Sequence, residues 1–300
     1  MREAPIGVFD SGVGGLTVLK ALAAELPNEH FVYLGDTARL PYGTKSPETV
    51  ARYALQAAEA LSEYGVKCLV IACNTASSVG LPAVRAHIRG VPIIGVIEPG
   101  AEAACAASKS GHIAVIATEG TVRGGAYQEA ILRLRSGARV IAQPTQLFVA
   151  LAEEGLHQGP IAESIARHYL EPMFRVPAEP APFRHPDTLV LGCTHFPMLA
   201  AAIRVAIGPD IKIVDSAATT AKAVRETLER ESLTRPSARE VSTGRDAPTR
   251  CDDSARGARL EGRQGTTRFL ATDSVERFAR IGSHFLERPI HAEEVELVDL

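Results

Sequence analysis

Two cysteines sit at the ends of apolar runs, in VIACNTA (residues 70–76) and in VLGCTHF (residues 190–196). Asn-Thr follows Cys73, Thr-His follows Cys193, and more apolar chain comes after each. One such cysteine alone reads as a small buried hydrophobe. Two at matching positions ask for a chemistry that uses both. Metal binding could draw on His185, Cys193 and His195, but their spacing matches no usual zinc pattern and Cys73 would have to join from far away, so no metal site is assigned. Covalent catalysis by Cys193 with His195 as base leaves Cys73 without a role. In the third chemistry, one thiolate takes a proton from one face of a carbon acid while the opposite thiol delivers a proton to the other face. That inverts a stereocentre. A free thiol with a pKa of about 8.5 needs only modest lowering to act as base near neutral pH. Acid and base exchange roles when the reaction runs backwards, so identical residue types fit.

Each thiol needs a partner to manage its proton. Asp10 on the first side and His195 on the second are the candidates, with Glu153 or Glu154 of LAEEG as a further one. Asn74, Thr75, Thr118, Thr121 and Thr194 offer amide and hydroxyl donors suited to carboxylates. Asp10 with Ser11 offers acceptors for an ammonium. Such a site prefers a small zwitterion.

The positioning elements are short apolar runs at 6–10, 30–36, 67–73, 91–98, 112–118, 139–143, 188–193 and 211–215. They are near-continuous hydrophobics rather than in/out alternations, as expected of parallel strands covered on both faces. Amphipathic helical stretches lie between them. The stretch 47–64, for example, has Ser46 placed to cap, Pro47 in the first turn and Gly65 just past the end. The β-α-β-α order predicts an α/β fold with mainly parallel sheets.

A longer repeat embraces the cysteine phrases. Residues 6–22 and 113–131 each read as strand, Gly-containing turn and helix, and each cysteine run is followed by a helix and a strand ending in an acid, Glu98 or Asp215. The expectation is two pseudo-symmetric α/β domains, 1–97 plus 209–300 and 98–208, with the active site in the cleft between them. Strand carboxyl ends line such clefts. Residues 235–268 carry eight Arg against five acids with few large apolar side chains, and read as a solvated insertion. After it, 268–286 regains helical amphipathic spacing.

With 300 residues, 46% hydrophobic, the chain can bury a sizeable core. A net charge of −3 argues against a nucleic-acid partner, and no apolar run is long enough for a membrane span. The N-terminus lacks the look of a signal peptide. Five cysteines without a CxxC pair suggest free thiols in a reducing compartment, the cytoplasm. Cys68, Cys105 and Cys251 keep the buried-hydrophobe reading. His87, His112, His157, His168 and His185 read as surface or structural. Gly12, Gly14 and Gly15, with Asp36 ending the next strand, resemble a dinucleotide fingerprint. Thr17 stands where the third glycine belongs, however, and Asp10 would repel a pyrophosphate.

The set FDSGVGGLTVL, YLGDTARLPYGTKS, VIACNTAS, GVIEPG, LFVALAEEG and LVLGCTHFPML, in this order along nearly the whole chain, resembles the aspartate/glutamate racemase family. The Thr-His after the second cysteine is similar to its glutamate-specific members. The resemblance implies cofactor-independent interconversion of L- and D-glutamate for bacterial peptidoglycan; a homodimer is the expected assembly. It implies Cys73 and Cys193 as the acid/base pair, and Asp10, Ser11, Pro41, Tyr42, Gly43, Asn74, Thr75, Thr194 and His195 as substrate contacts. From the residues alone Tyr42 is equally a packed turn residue. The runner-up readings are aspartate as substrate, a decarboxylase or hydantoin-type racemase, and a two-lobed amino-acid-binding module, which needs no thiols.

Overall fold

A computed structural model describes residues 1–174, 185–236 and 265–300. All eight apolar runs form strands. In chain order the elements are β1 (Ile6–Asp10), α1 (Leu16–Glu25), β2 (Phe31–Gly35), α2 (Pro47–Glu63), β3 (Cys68–Ile71), α3 (Asn74–Val79), α4 (Leu81–His87), β4 (Ile93–Gly95) and α5 (Ile97–Ala107). Then follow β5 (His112–Ala117), α6 (Glu119–Gly124), α7 (Ala126–Leu134), β6 (Arg139–Pro144), α8 (Leu147–Glu153), α9 (Gly159–Phe174), β7 (Thr188–Gly192), α10 (Ala200–Ile207), β8 (Lys212–Asp215) and α11 (Ser216–Arg230). The chain ends with β9 (Thr267–Ala271), α12 (Val275–Leu286) and β10 (Val295–Leu297).

Two sheets result, one ordered β10-β9-β2-β1-β3-β4 and the other β6-β5-β7-β8, and every pairing is parallel. The second order repeats the first four strands of the chain: β5 stands where β1 does, β6 for β2, β7 for β3 and β8 for β4. The repeat seen in the residues is thus a repeat of topology. Parallel pairing requires a crossover between neighbours, and the helices supply it. Helix α2 begins as expected, with the Ser46 hydroxyl accepting from the Thr49 N–H and Pro47 at its first position.

Several expectations need correcting. The second sheet continues to Asp215, because β8 pairs with β7, so the return to the first sheet falls after that strand rather than at 209. Strand β4 stops at Gly95, and Glu98 sits in the first turn of α5, ion-paired at the surface with Arg85 and Arg133. It does not end a strand. Residues 268–286 are not one helix: 267–271 form β9 on the free edge of β2, and Ser274 turns the chain with a φ of 51° before α12. Most of the Arg-rich 235–268 reading lies outside the described residues. Its first residue, Arg235, is buried and not solvated. Its N–H donates to the Glu29 carboxylate (2.8 Å) and its guanidinium pairs with Glu3 (2.8 Å).

One apolar cluster runs from Leu16 and Leu19 of α1, through Val224 and Leu228 of α11, to Leu189 and Phe196 near β7. It welds the two sheets together. Within it, Phe148 of α8 meets the rings of Phe196 and Tyr169 edge-on, each at 5.4 Å. Phe148→Ala removes both contacts, so an unfolding free energy lower by about 3–5 kcal/mol is expected in urea titration. An unchanged midpoint would show that this cluster does not carry stability.

Candidate active site

Strands β1 and β3 of the first sheet and β5 and β7 of the second end on polar residues that share one cavity of about 510 Å³. Ser11 comes from the end of β1, Cys73, Asn74 and Thr75 from the end of β3, Thr118 from β5, and Cys193, Thr194 and His195 from β7. Pro41, Tyr42 and Gly43 close it from the loop after β2, and Glu153 from α8. The structure therefore brings both cysteines to one cavity, each 5% exposed. Asp10 and Thr121 are buried behind the lining, one bond or one hydroxyl removed from it. Of LAEEG, Glu153 faces inward and Glu154 is exposed. Tyr42 is a packed residue whose hydroxyl donates to the Asp36 carboxylate, so its phenol does not point at a ligand.

The two thiols have unlike surroundings. Cys73 caps α3, accepting from the Ala76 N–H at 3.4 Å, and its thiol donates to the Ser11 hydroxyl at 3.5 Å. Burial pushes this thiol up to about 12, and the neighbouring Asp10 charge adds to the shift while the bond to Ser11 opposes it. Asp10 is itself raised by burial, against the pull of His195 and the N–H groups of Gly15, Gly12 and Ser11. Negative charge is therefore disfavoured on this side, and Cys73 holds its proton.

On the other side the Cys193 sulfur lies 3.7 Å from His195 Nδ1, and His195 Nε2 lies 3.2 Å from Glu153 Oε1. Arg277 of α12 donates to Glu153 Oε2 at 2.9 Å. Burial works against a charged imidazole, but the bonds to Cys193 and Glu153 outweigh it and lift His195 to about 10. Burial likewise opposes the Glu153 charge, yet His195 and Arg277 hold that carboxyl below its ordinary range. This side is a charged relay ending at a sulfur.

Further polar groups stand at and behind the cavity wall. The Tyr127 hydroxyl donates to Asn74 Oδ1 at 2.8 Å, which fixes the amide and leaves Nδ2 buried without a partner. Burial keeps the phenol protonated, so the donor role is secure. Asp10 Oδ1 is also buried and unpartnered, on the strand paired directly with β3. One orphaned acceptor and one orphaned donor thus stand on adjacent strand ends. The hydroxyls of Thr75, Thr118 and Thr121 form a triangle with sides of 2.9, 3.2 and 3.0 Å, joining the first half of the chain to the second. Among the described residues no three His, Cys, Asp or Glu side chains converge in a metal-holding group.

The glycines after β1 serve packing. A Cβ on Gly14 would stand 2.4 Å from the His195 ring and 2.5 Å from the Thr194 hydroxyl, and one on Gly15 would stand 2.4 Å from Asp10 Cβ. Gly14→Ala therefore pushes the imidazole off Cys193, and activity is expected to fall roughly 100-fold, because a misplacement near 1 Å costs that much. Steady-state kinetics check this, with a circular dichroism melt to confirm folding; activity within twofold of wild type would contradict it.

Two polar cavity residues escaped the sequence reading, besides the apolar Leu40, Leu147, Val149 and Ala150. Gln146, with Oε1 buried and unpartnered, follows β6 just as the 41–43 loop follows β2, so the repeat itself could have found it. Arg277 had no such signal. It reaches Glu153 only because α12 crosses over from the first sheet.

The model of the family described as Asp/Glu/Hydantoin racemase matches residues 6–224. Glutamate racemase of Koribacter versatilis is 45% identical over 302 residues, covering 100% of this chain and 99% of the relative. Glutamate racemase of Geobacter metallireducens is 43% identical over 281 residues, covering 94% and 92%. A crystal structure of glutamate racemase from Francisella tularensis in complex with D-glutamate superimposes with a TM-score of 0.82 at 32% identity, covering 100% of this chain and 98% of that one. Full-length likeness of this degree, on a scaffold whose repeated strand ends present two cysteines to one cavity, places the chain in the Asp/Glu/Hydantoin racemase family, and it is an isomerase.

Proposed function

We propose that this enzyme interconverts L- and D-glutamate without a cofactor, using Cys73 and Cys193 as the two acid/base groups, and that the D-glutamate serves peptidoglycan synthesis. The observation that carries the substrate class is the pair of orphaned atoms, Asp10 Oδ1 for an ammonium and Asn74 Nδ2 for a carboxylate. The choice of glutamate follows the named relatives and the D-glutamate complex of the Francisella tularensis protein.

In this reading the amino acid binds with its Cα between the thiols, its ammonium toward Asp10 and Ser11, and its α-carboxylate toward Asn74 and the threonine hydroxyls. Cys193, as thiolate beside the His195 imidazolium, takes the Cα proton. Charge moves into the carboxylate as the C–H bond breaks, where the fixed donors stabilise it without reorganising. Cys73 then delivers its proton to the opposite face. The reverse reaction exchanges the roles. Asp10 offsets the ammonium, and the ammonium in turn lessens the charge that disfavours a Cys73 thiolate.

Thiols in this role must stay reduced, which supports a cytoplasmic setting; the four described cysteines are free. No helix among the described residues is long and apolar enough to cross a membrane. A homodimer is the proposed assembly, to be read by sedimentation. The functional test is incubation with L-glutamate, D-glutamate or L-aspartate and no added cofactor, followed by circular dichroism. Loss of rotation with both glutamates supports the reading. Inversion of aspartate alone overturns the substrate, and inversion of none overturns racemisation.

A further inference from the structure

We propose that Arg277 is a positioning residue for the Cys193 side alone: it holds the Glu153 carboxylate against His195, so that α12 governs the proton handling of one thiol and not the other. The proposal rests on the racemase reading above, in which the His195 relay serves proton transfer. Geometry carries it. Arg277 donates to one Glu153 oxygen at 2.9 Å while the other lies 3.2 Å from His195 Nε2, so the carboxylate is gripped between two cationic partners. The same helix touches the imidazole again, since the Phe285 ring meets it edge-on at 5.2 Å. Residues 277, 281 and 285 are spaced along one face of α12.

The approach to α12 is itself fastened to the cavity loop. The Asp273 N–H donates to the Thr37 hydroxyl at 2.9 Å, and the Thr272 hydroxyl donates to Asp36 Oδ1 at 2.9 Å. Asp36 in turn accepts from Tyr42. The helix is thus fixed relative to both walls of the cavity. Cys73 has no counterpart of this arrangement, because Ser11 and Asp10 come from the adjoining strand end.

The titratable and charged groups facing the relay are Asp10 from β1, Cys193 beside the imidazole, Glu153 from α8, and Asp273 with Arg277 at the start of α12. Arg277 favours the Glu153 anion, and an oriented Glu153 anion favours the His195 cation. Removing Arg277 therefore raises the Glu153 carboxyl and frees it to turn away from His195; the imidazolium loses its oriented partner, which outweighs its relief from the Arg277 charge, and His195 falls. The pH range over which the relay is charged narrows from both sides.

The test compares Arg277→Met and Arg277→Lys with wild type in the full-length chain. Arg277 is about half exposed, so neither change opens a core cavity, and a thermal melt confirms folding. The first readout needs no turnover: the His195 ring titration followed by NMR, expected to fall in Arg277→Met and to recover in part in Arg277→Lys. The second is kcat/KM against pH, expected to fall roughly tenfold in Arg277→Met with its acid limb moved upward, as for loss of one charge-assisted hydrogen bond. The enantiomers are equally stable, so kcat/KM must fall equally in both directions. The deuterium isotope effect with Cα-deuterated substrate need not, and it should rise only for the enantiomer whose proton Cys193 removes. An unmoved or raised His195 titration overturns the proposal, as does a higher KM with kcat kept, which would make Arg277 a substrate ligand. If wild type fails to invert glutamate while His195 still responds to Arg277, the functional reading fails and the positioning role stands.

Discussion

Cys73→Ala and Cys193→Ala should each abolish inversion, with kcat lowered about 10³-fold or more, because each removes one of two proton-transfer groups that act in series. The expected losses are not additive. Once either thiol is gone the stereocentre cannot be inverted by direct transfer, so the double variant should be no slower than the slower single one. Substrate affinity should change little, since the orphaned Asp10 and Asn74 atoms and the threonine triangle remain in place. The two variants should also differ from each other. Without Cys193 the enzyme keeps a protonated thiol and loses its base. Without Cys73 it keeps the His195 relay and can still exchange the Cα proton of one enantiomer. Kinetics of both directions with isothermal titration of D-glutamate separate these effects. A single variant with more than a tenth of wild-type activity would show that one cysteine is only a small buried side chain.

The second large effect concerns Asp10. Asp10→Asn keeps the shape of a side chain that is 1% exposed and removes its charge. That charge is one of the causes that push Cys73 up to about 12, so without it the thiol ionises at lower pH. Activity should nevertheless fall about 100-fold, because the partner for the ammonium and for the Cys73 proton is lost with it. The two consequences point in opposite senses, which makes the pair diagnostic. Alkylation of Cys73 by iodoacetamide against pH, followed by peptide mass spectrometry in a Cys193→Ala background, reports the ionisation. An unmoved midpoint would mean that the Asp10 charge does not reach the sulfur.

Much of this arrangement is written locally. A parallel strand covered on both faces must be apolar along its length, and the residue at which it stops being apolar is the residue at the sheet edge; hence Cys73, Thr118 and Cys193 could be placed from their neighbours alone. The internal repeat, seen in the order β2-β1-β3-β4 against β6-β5-β7-β8, added the inference that their ends converge, and Cys73, Thr118 and Cys193 do line one cavity. Tertiary facts were not legible. The run 268–271 has the composition of a helix face or of a strand, and only the free edge of β2 decides for the strand. Whether Tyr42 offers its phenol to a ligand depends on Asp36 being within reach, which spacing does not reveal. Gly14 and Gly15 look like a phosphate-binding turn until His195 and Asp10 are seen lying where side chains would be. Arg277 is one arginine among many until α12 sets it against Glu153.

The central claim is that two different groups move the two protons, and wild type in deuterated water tests it most directly. L-glutamate and D-glutamate are each sampled by NMR and mass spectrometry well before equilibrium. The account predicts that the newly formed enantiomer carries one Cα deuterium while the remaining substrate stays almost wholly protiated, because the incoming proton is drawn from the thiol opposite the one that took the first. Product that retains the original Cα proton, or substrate that exchanges as fast as product forms, would mean that a single base serves both faces, and the two-thiol account would be wrong.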